Sequence, residues 1–432
     1  MLEKSEKLRR IQNTAVTLLV ISGLINYLDR STLSIANQSI SVEMGFTASQ
    51  MGLLLSAFSL AYAFAQLPVG VLLDRLGTRL VLGIGMLVWS IAQALAGLVQ
   101  SMQQFLLARV LLGVGEAPQF PAGAKVVSEW FAVHERGRPT GFFTASTTVA
   151  PALAPPLLTG MMMAFGWRGM FVVMGVAGVA AAIGWYLIYR DRRTVRLDTT
   201  EVAYLDVGQE SARQAAHEQP ITFADFRALL SMRTTWGMLL GFMGVIYMVW
   251  LYLTWLPAYF ERERGVSLAS LGWVVAIPYL AGTLGMLSSG IVSDKLLARG
   301  FAPIVSRKWP VCIGLFFAAA FTVPAAYTPN LTMAVIYISG AMFFVNLASG
   351  GSWAMVSVAA PRRLVASLGG LKNFGGYLGG SAAPVITGMV VDATGSFVNA
   401  LLISAAVSVT GALFYLFVVK NPIVDPASAS QE

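Results

Sequence analysis

Charge is scarce in this 432-residue chain: Asp, Glu, Lys and Arg together make up 12% of it, against roughly 25% in an ordinary soluble domain. Cysteine is nearly absent. The single Cys312 excludes a disulfide within the chain and any cysteine metal cluster. Histidine is limited to His134 and His217, both in polar connections, so zinc, haem and His- or Cys-dependent catalysis lack their residues. No nucleophile elbow and no phosphate-binding loop is present, and neither an enzyme nor a cofactor or metal is expected. The net charge of +8 raises nucleic acid as a partner. The basic residues, however, fall in short blocks between apolar stretches and form no continuous basic face.

What the chain has in abundance is apolar surface, with 56% hydrophobic residues and a mean hydropathy of +0.69. A water-soluble fold of this length cannot hide that much, so the lipid bilayer is the expected partner. A helix needs about 20 mostly apolar residues to cross it. Breaking the chain at charged and Gly/Pro-rich connections predicts spans near 14–38, 50–73, 79–99, 103–126, 140–164 and 167–189. A second set falls near 235–260, 268–293, 308–327, 332–357, 364–391 and 396–419. Length and the lack of strict alternation favour helices over a β-barrel. The first stretch is too long for a signal h-region and carries Asp29 and Arg30, so it reads as helix one of the mature protein.

Lys and Arg orient the bundle. With a cytoplasmic N-terminus, 23 of the 29 basic residues fall inside, Lys4, Lys7, Arg75, Arg136, Lys295, Arg362 and Arg363 among them. The outside loops hold three, Arg168, Arg262 and Arg264, and Arg30, Arg109 and Lys372 lie within spans. Both termini are then cytoplasmic. The long polar connection divides the spans six and six, giving a bundle over 1–189, a linker over 190–234 and a second bundle over 235–432. Gly70-Val-Leu-Leu-Asp74-Arg75 after span two recurs as Gly290-Ile-Val-Ser-Asp294-Lys295 after span eight. Parallel six-helix repeats around a midplane site describe an alternating-access transporter. Asp74, Arg75, Asp294 and Lys295 are its expected gate elements, each aspartate binding a helix N-terminus or a basic side chain in one state only.

A charge at bilayer depth costs at least about 2.5–3.5 kcal/mol and usually serves function. The chain has five: Asp29, Arg30, Arg109, Glu116 and Lys372. Arg109 and Glu116, seven residues apart, share a helix face. Asp29 and Arg30 are adjacent and diverge, which suits Arg30 turned to a cavity and Asp29 turned to span four. Burial raises a carboxyl pKa and a guanidinium lowers it, so an arginine that leaves for an anion would switch its acid. Static salt bridges between spans one and four are the bland alternative. Lys372 either snorkels to the interface or adds a positive charge for the anion. Tyr62, Ser352, Trp353 and Asn373 are uncharged cavity candidates, with packing as their alternative role. The glycines around Asn373 allow close helix approach.

At these residues the chain resembles the anion:cation symporter family of the major facilitator superfamily. Asn26-Tyr-Leu-Asp-Arg30 resembles that family's opening motif, and Gly70 to Arg79 the superfamily's loop 2–3 signature. Arg109 to Ala122, RVLLGVGEAPQFPA, is similar to the family's span-four motif, and Gly166-Trp-Arg168 is also familiar. The resemblance covers essentially the whole chain. It implies an all-α fold of 12 transmembrane helices in two repeats, in a bacterial inner membrane. It also implies import of a small organic anion, such as a sugar acid or sulfonate, by symport driven by the proton gradient. Asp29 and Glu116 match the family's protonated carboxylates, Arg109 a partner of that switch, and Arg30 a substrate-contacting arginine. Tyr62 and Asn373 match cavity residues of sugar-acid members, Ser352 and Trp353 less closely. A complete 12-helix unit needs no partner, so a monomer is expected. An exporter or antiporter of the same fold is the alternative. Two departures, the amide-free Thr144–Ala150 stretch of span five and Lys372, leave room for an anion smaller or more acidic than a hexonate.

Overall fold

A computed structural model describes residues 4–207, 223–361 and 364–423. Arg362, Arg363 and His217 lie outside the described residues. Helix is the only regular structure among those described, and ten helices are long and apolar enough to span a bilayer. Two expected spans are joined and one is broken, which reconciles ten with twelve. Spans five and six run together as Gly137–Ile188, turning at Gly166 with φ 70° and ψ 171°. That left-handed φ suits glycine alone. Arg168 secures the turn by donating to the carbonyls of Gly97 and Val99 at 3.2 and 2.7 Å.

Span four breaks into Met102–Glu116 and Gln119–Trp130. Pro118 has no N–H to continue the ladder, so each piece falls short of a spanning length. Span two and spans seven to eleven extend past an expected bound, whereas spans one, three and twelve end short of theirs. Span one is Glu6–Ile35, starting eight residues earlier than the apolar stretch because Ser5 caps it, accepting from the Leu8 N–H at 3.1 Å. A short helix, Asn37–Met44, follows. Spans two and three are Ala48–Leu76 and Thr78–Ala96. Spans seven to eleven are Arg233–Arg264, Leu268–Ala298, Pro303–Tyr327, Leu331–Ala359 and Val365–Thr394, and span twelve is Val398–Leu413 with a π turn to Val418.

Contacts group the chain into two compact units, Met1–Ala36 with Ala57–Gln219, and Asn37–Ser56 with Pro220–Glu432. In the first, span one packs on the joined helix of spans five and six, which also packs on span three. In the second, span ten packs on eight and nine, and span eleven on seven. The second unit includes the start of span two for a local reason. The Asp392 carboxylate accepts from the backbone N–H groups of Ala48 and Ser49, both at 2.8 Å, capping that helix.

Candidate substrate and proton site

Span one delivers Asp29 and Arg30, and span four delivers Arg109 and Glu116. All four are buried. Arg30 Nε donates to Glu116 Oε2 at 2.7 Å. Its guanidinium lies over the rings of Tyr27, Phe58 and Tyr62 at 4.8, 5.1 and 4.8 Å, within cation–π reach. Arg30 is thus committed to span four, whereas the sequence pattern turned it toward a cavity. Asp29, one residue away and so on a diverging face, has Glu116 and Arg109 as its charged neighbours. Neither of its carboxylate oxygens has a hydrogen-bond partner among the described residues, and the same holds for Glu116 Oε1 and for Nε and Nη1 of Arg109. Buried polar atoms left unmatched are uncommon. The described hydrogen bond between an acid and a guanidinium here is Arg30–Glu116, while Asp29, Glu116 Oε1 and Nε and Nη1 of Arg109 keep hydrogen-bonding capacity.

Aromatic rings cover the two guanidiniums, and two amide side chains bridge spans of the same unit. Phe58 stacks on Tyr62 and also lies 5.2 Å from the Arg109 guanidinium. Gly113 on span four lets that helix close on span two, because a Cβ there would strike the Phe58 carbonyl. Gln93 donates to Thr32 Oγ1 at 2.9 Å and Gln119 to Ser22 Oγ at 2.8 Å. The roles of Tyr27, Phe58 and these amides were missed from the sequence. Asn26-Tyr27 stood out only as part of a motif, and a lone Phe or Gln in a span gives no spacing signal.

The second unit carries the other candidates. Lys372 is fully buried and does not snorkel. Its Nζ donates to the Ser352 carbonyl at 3.0 Å and to Ser352 Oγ at 3.2 Å. The rings of Phe242 and Trp353 stand 3.9 and 4.0 Å away. Ser352 Oγ is shared with the Tyr415 hydroxyl at 2.5 Å. Ser352, Trp353 and Lys372 are therefore one cluster. Asn373, next along the helix, is half-buried with no side-chain hydrogen bond among the described residues. Span eleven reaches this position through glycines. A Cβ on Gly379 would lie 2.5 Å from the Met243 carbonyl oxygen and one on Gly375 2.5 Å from Leu239.

Of the expected gate residues, Asp74 is engaged: Lys125 on span four donates to its carboxylate at 2.7 Å and to the Leu73 carbonyl at 2.9 Å. Arg75, Asp294 and Lys295 are exposed, and their side chains have no hydrogen-bond partner among the described residues. Lys125 was missed because it reads as one more cytoplasmic cation at the end of an apolar stretch. A further contact set joins the N-terminal segment to the connection after span six. Ser5 donates to Glu201 at 2.6 Å, Lys7 to the same carboxylate at 3.1 Å, and Lys4 and Tyr204 to Glu135 at 3.2 and 2.7 Å.

The model of the Major Facilitator Superfamily matches residues 19–384. The chain belongs to that superfamily. Among its relatives, a probable L-galactonate transporter of Escherichia coli (strain K12) is 47% identical over 99% of this chain and 93% of its own length. A D-galactonate transporter of Escherichia coli O6:H1 is 33% identical, covering 94% and 95% of the two chains. A probable galactarate/D-glucarate transporter of Bacillus subtilis (strain 168) is 32% identical, covering 96% and 93%. These relatives are sugar-acid transporters, as the resemblance implied, and not enzymes. Solved structures carry the same fold. A bacterial homolog of the human lysosomal transporter Spinster, inward-facing and occupied, superposes with a TM-score of 0.78 at 21% identity over 96% and 97% of the chains. A D-xylose-proton symporter does so with 0.73 at 14% identity over 95% and 99%. The chain is thus a multi-pass membrane transporter of the major facilitator fold.

Proposed function

We propose that this chain imports a sugar acid by proton symport across a bacterial inner membrane, as a monomer with both termini in the cytoplasm. The observation that carries the reading is the buried contact between Arg30 Nε and Glu116 Oε2 at 2.7 Å, beside an Asp29 whose carboxylate has no hydrogen-bond partner among the described residues. While Glu116 is ionised, Arg30 is held by it. A proton on Glu116 removes the ionic partner and releases the guanidinium, a planar fork suited to a carboxylate. An anion that binds Arg30 in turn favours the protonated acid. Proton and anion therefore load together. Asp29 beside Arg109 is the relay that receives the proton, and neutralising the cluster lowers the cost of a carrier that changes conformation in the bilayer.

Support for the substrate class comes from the relatives, which are galactonate and galactarate/D-glucarate transporters by name. The Asp74–Lys125 pair serves as a gate contact that is made in one state and broken in the other.

A thermal-shift screen of the purified protein tests the reading, since a ligand of the folded state stabilises it by mass action. Galactonate, galactarate, glucarate or a hexuronate should raise the melting temperature of the wild type and not of Arg30→Ala. Silence across all sugar acids, or equal stabilisation of Arg30→Ala, would contradict it.

A further inference from the structure

One ring in the first compact unit serves two cations. Phe58 on span two is buried, and its ring centroid lies 5.1 Å from the Arg30 guanidinium and 5.2 Å from that of Arg109. The two guanidiniums come from different spans, one and four, and each feels the other's charge. Phe58 is held in place on both sides. Its ring stacks on Tyr62 at 5.9 Å, and span four closes on its backbone at Gly113, where a Cβ would strike the Phe58 carbonyl. The ionisable groups facing the two arginines are Tyr27 and Asp29 on span one, Tyr62 on span two and Glu116 on span four. Span three and the joined spans five and six carry ionisable side chains only near their ends, at Arg79, Arg138, Arg168 and Tyr186.

A ring face attracts a cation through its quadrupole. The attraction is weak for a guanidinium paired with a carboxylate, because the two charges largely cancel at the ring. It is strongest for a guanidinium that has lost that partner. In the proposed cycle a proton on Glu116 leaves Arg30 and Arg109 with one ionised carboxylate, Asp29, between them. Phe58 stabilises this proton-loaded state more than the ionised one. We infer that Phe58 is a positioning residue of the proton switch, whose ring holds both arginines in the proton-loaded carrier and so sets the pH range in which coupled uptake runs. The inference rests on the proposed proton-coupled import of a sugar acid, and it requires no movement of the ring.

The test replaces Phe58 in the full-length protein by phenylalanines with one, two and three ring fluorines, which nearly keep the ring's shape while draining its negative face. Uptake into proteoliposomes is measured across external pH at a constant proton gradient. The probe is whichever of galactonate, galactarate, glucarate and galacturonate the wild type carries fastest. The pH of half-maximal uptake should fall stepwise along the series, by about half a unit or more at three fluorines. It should fall further in Phe58→Leu, which keeps apolar bulk without a π face, and stay near the wild-type value in Phe58→Tyr. A midpoint that is constant or rises along the fluorine series overturns the role of Phe58 and leaves the import reading standing, even where Phe58→Leu slows uptake at every pH. Wild-type protein that carries none of the four acids, or carries them without regard to the proton gradient, overturns both.

Discussion

Arg30 and Glu116, 86 positions apart in sequence, meet at 2.7 Å in a buried ion pair between spans one and four. A buried pair of this kind is not in itself a source of stability, because desolvating two charges offsets their attraction. In the proposed transport cycle the pair, beside two further buried charges, Asp29 and Arg109, serves as a switch whose position depends on protons and anion.

Replacing Arg30 by Lys should weaken sugar-acid binding by about tenfold or more, while leaving the fold intact. A point charge loses the planar fork and the stacking on Tyr27, Phe58 and Tyr62. Titration calorimetry with the best-stabilising acid checks this. Unchanged affinity would make Arg30 a structural residue.

Some glycines of span eleven are required by contact and others are not, and their substitutions have different expected costs. Gly379→Ala puts a methyl 2.5 Å from the Met243 carbonyl oxygen, and overpacking of this kind costs about 1–3 kcal/mol. Gly370→Ala meets nothing within 4 Å and should leave the melting temperature unchanged or raise it, since alanine is the better helix former. Equal effects of the two substitutions would refute the close approach of spans seven and eleven.

The N-terminal segment should hold the connection after span six less firmly in acid. The Glu201 carboxyl lies below its ordinary value of 4.5, held there first by the Ser5 hydroxyl and then by the Asp198 N–H and Lys7. Burial pushes Glu135 up, but the hydrogen bonds of Tyr204 and Lys4 outweigh it and hold it below 4.5. A depressed carboxyl stabilises the folded state above its unfolded value and loses that contribution as pH falls through the folded value. The difference in melting temperature between wild type and Glu201→Gln should therefore be full at pH 6–7 and shrink as pH drops below about 4.5. A difference that grows in acid would contradict the contact.

Much of this was legible from the sequence because the bilayer leaves few choices. Apolar length marks the spans, and a charge inside one stands out, so Asp29, Arg30, Arg109, Glu116 and Lys372 were all singled out. Partnership was not legible. Arg109 and Glu116 share a helix face, yet Glu116 bonds Arg30, because the packing of span one against span four decides which guanidinium arrives. Lys372 offered two equal readings until Phe242, 130 residues away in another span, appeared as one wall of its cage. Lys125 as the partner of Asp74, and the docking of Lys4 and Ser5 on Glu135 and Glu201, depend on folded proximity with no periodic signal. Span four was read as one helix although Pro118 was visible, since a proline in an apolar run can kink a helix as easily as end it.

Proton coupling through Glu116 is tested most directly in proteoliposomes that report sugar-acid uptake and internal pH together. Wild-type protein should accumulate the acid when a proton gradient is imposed and should acidify the lumen as it does so. Glu116→Gln should lose gradient-driven accumulation while still exchanging labelled for unlabelled acid. Normal accumulation by Glu116→Gln, or uptake by the wild type with no proton movement, would contradict the coupling.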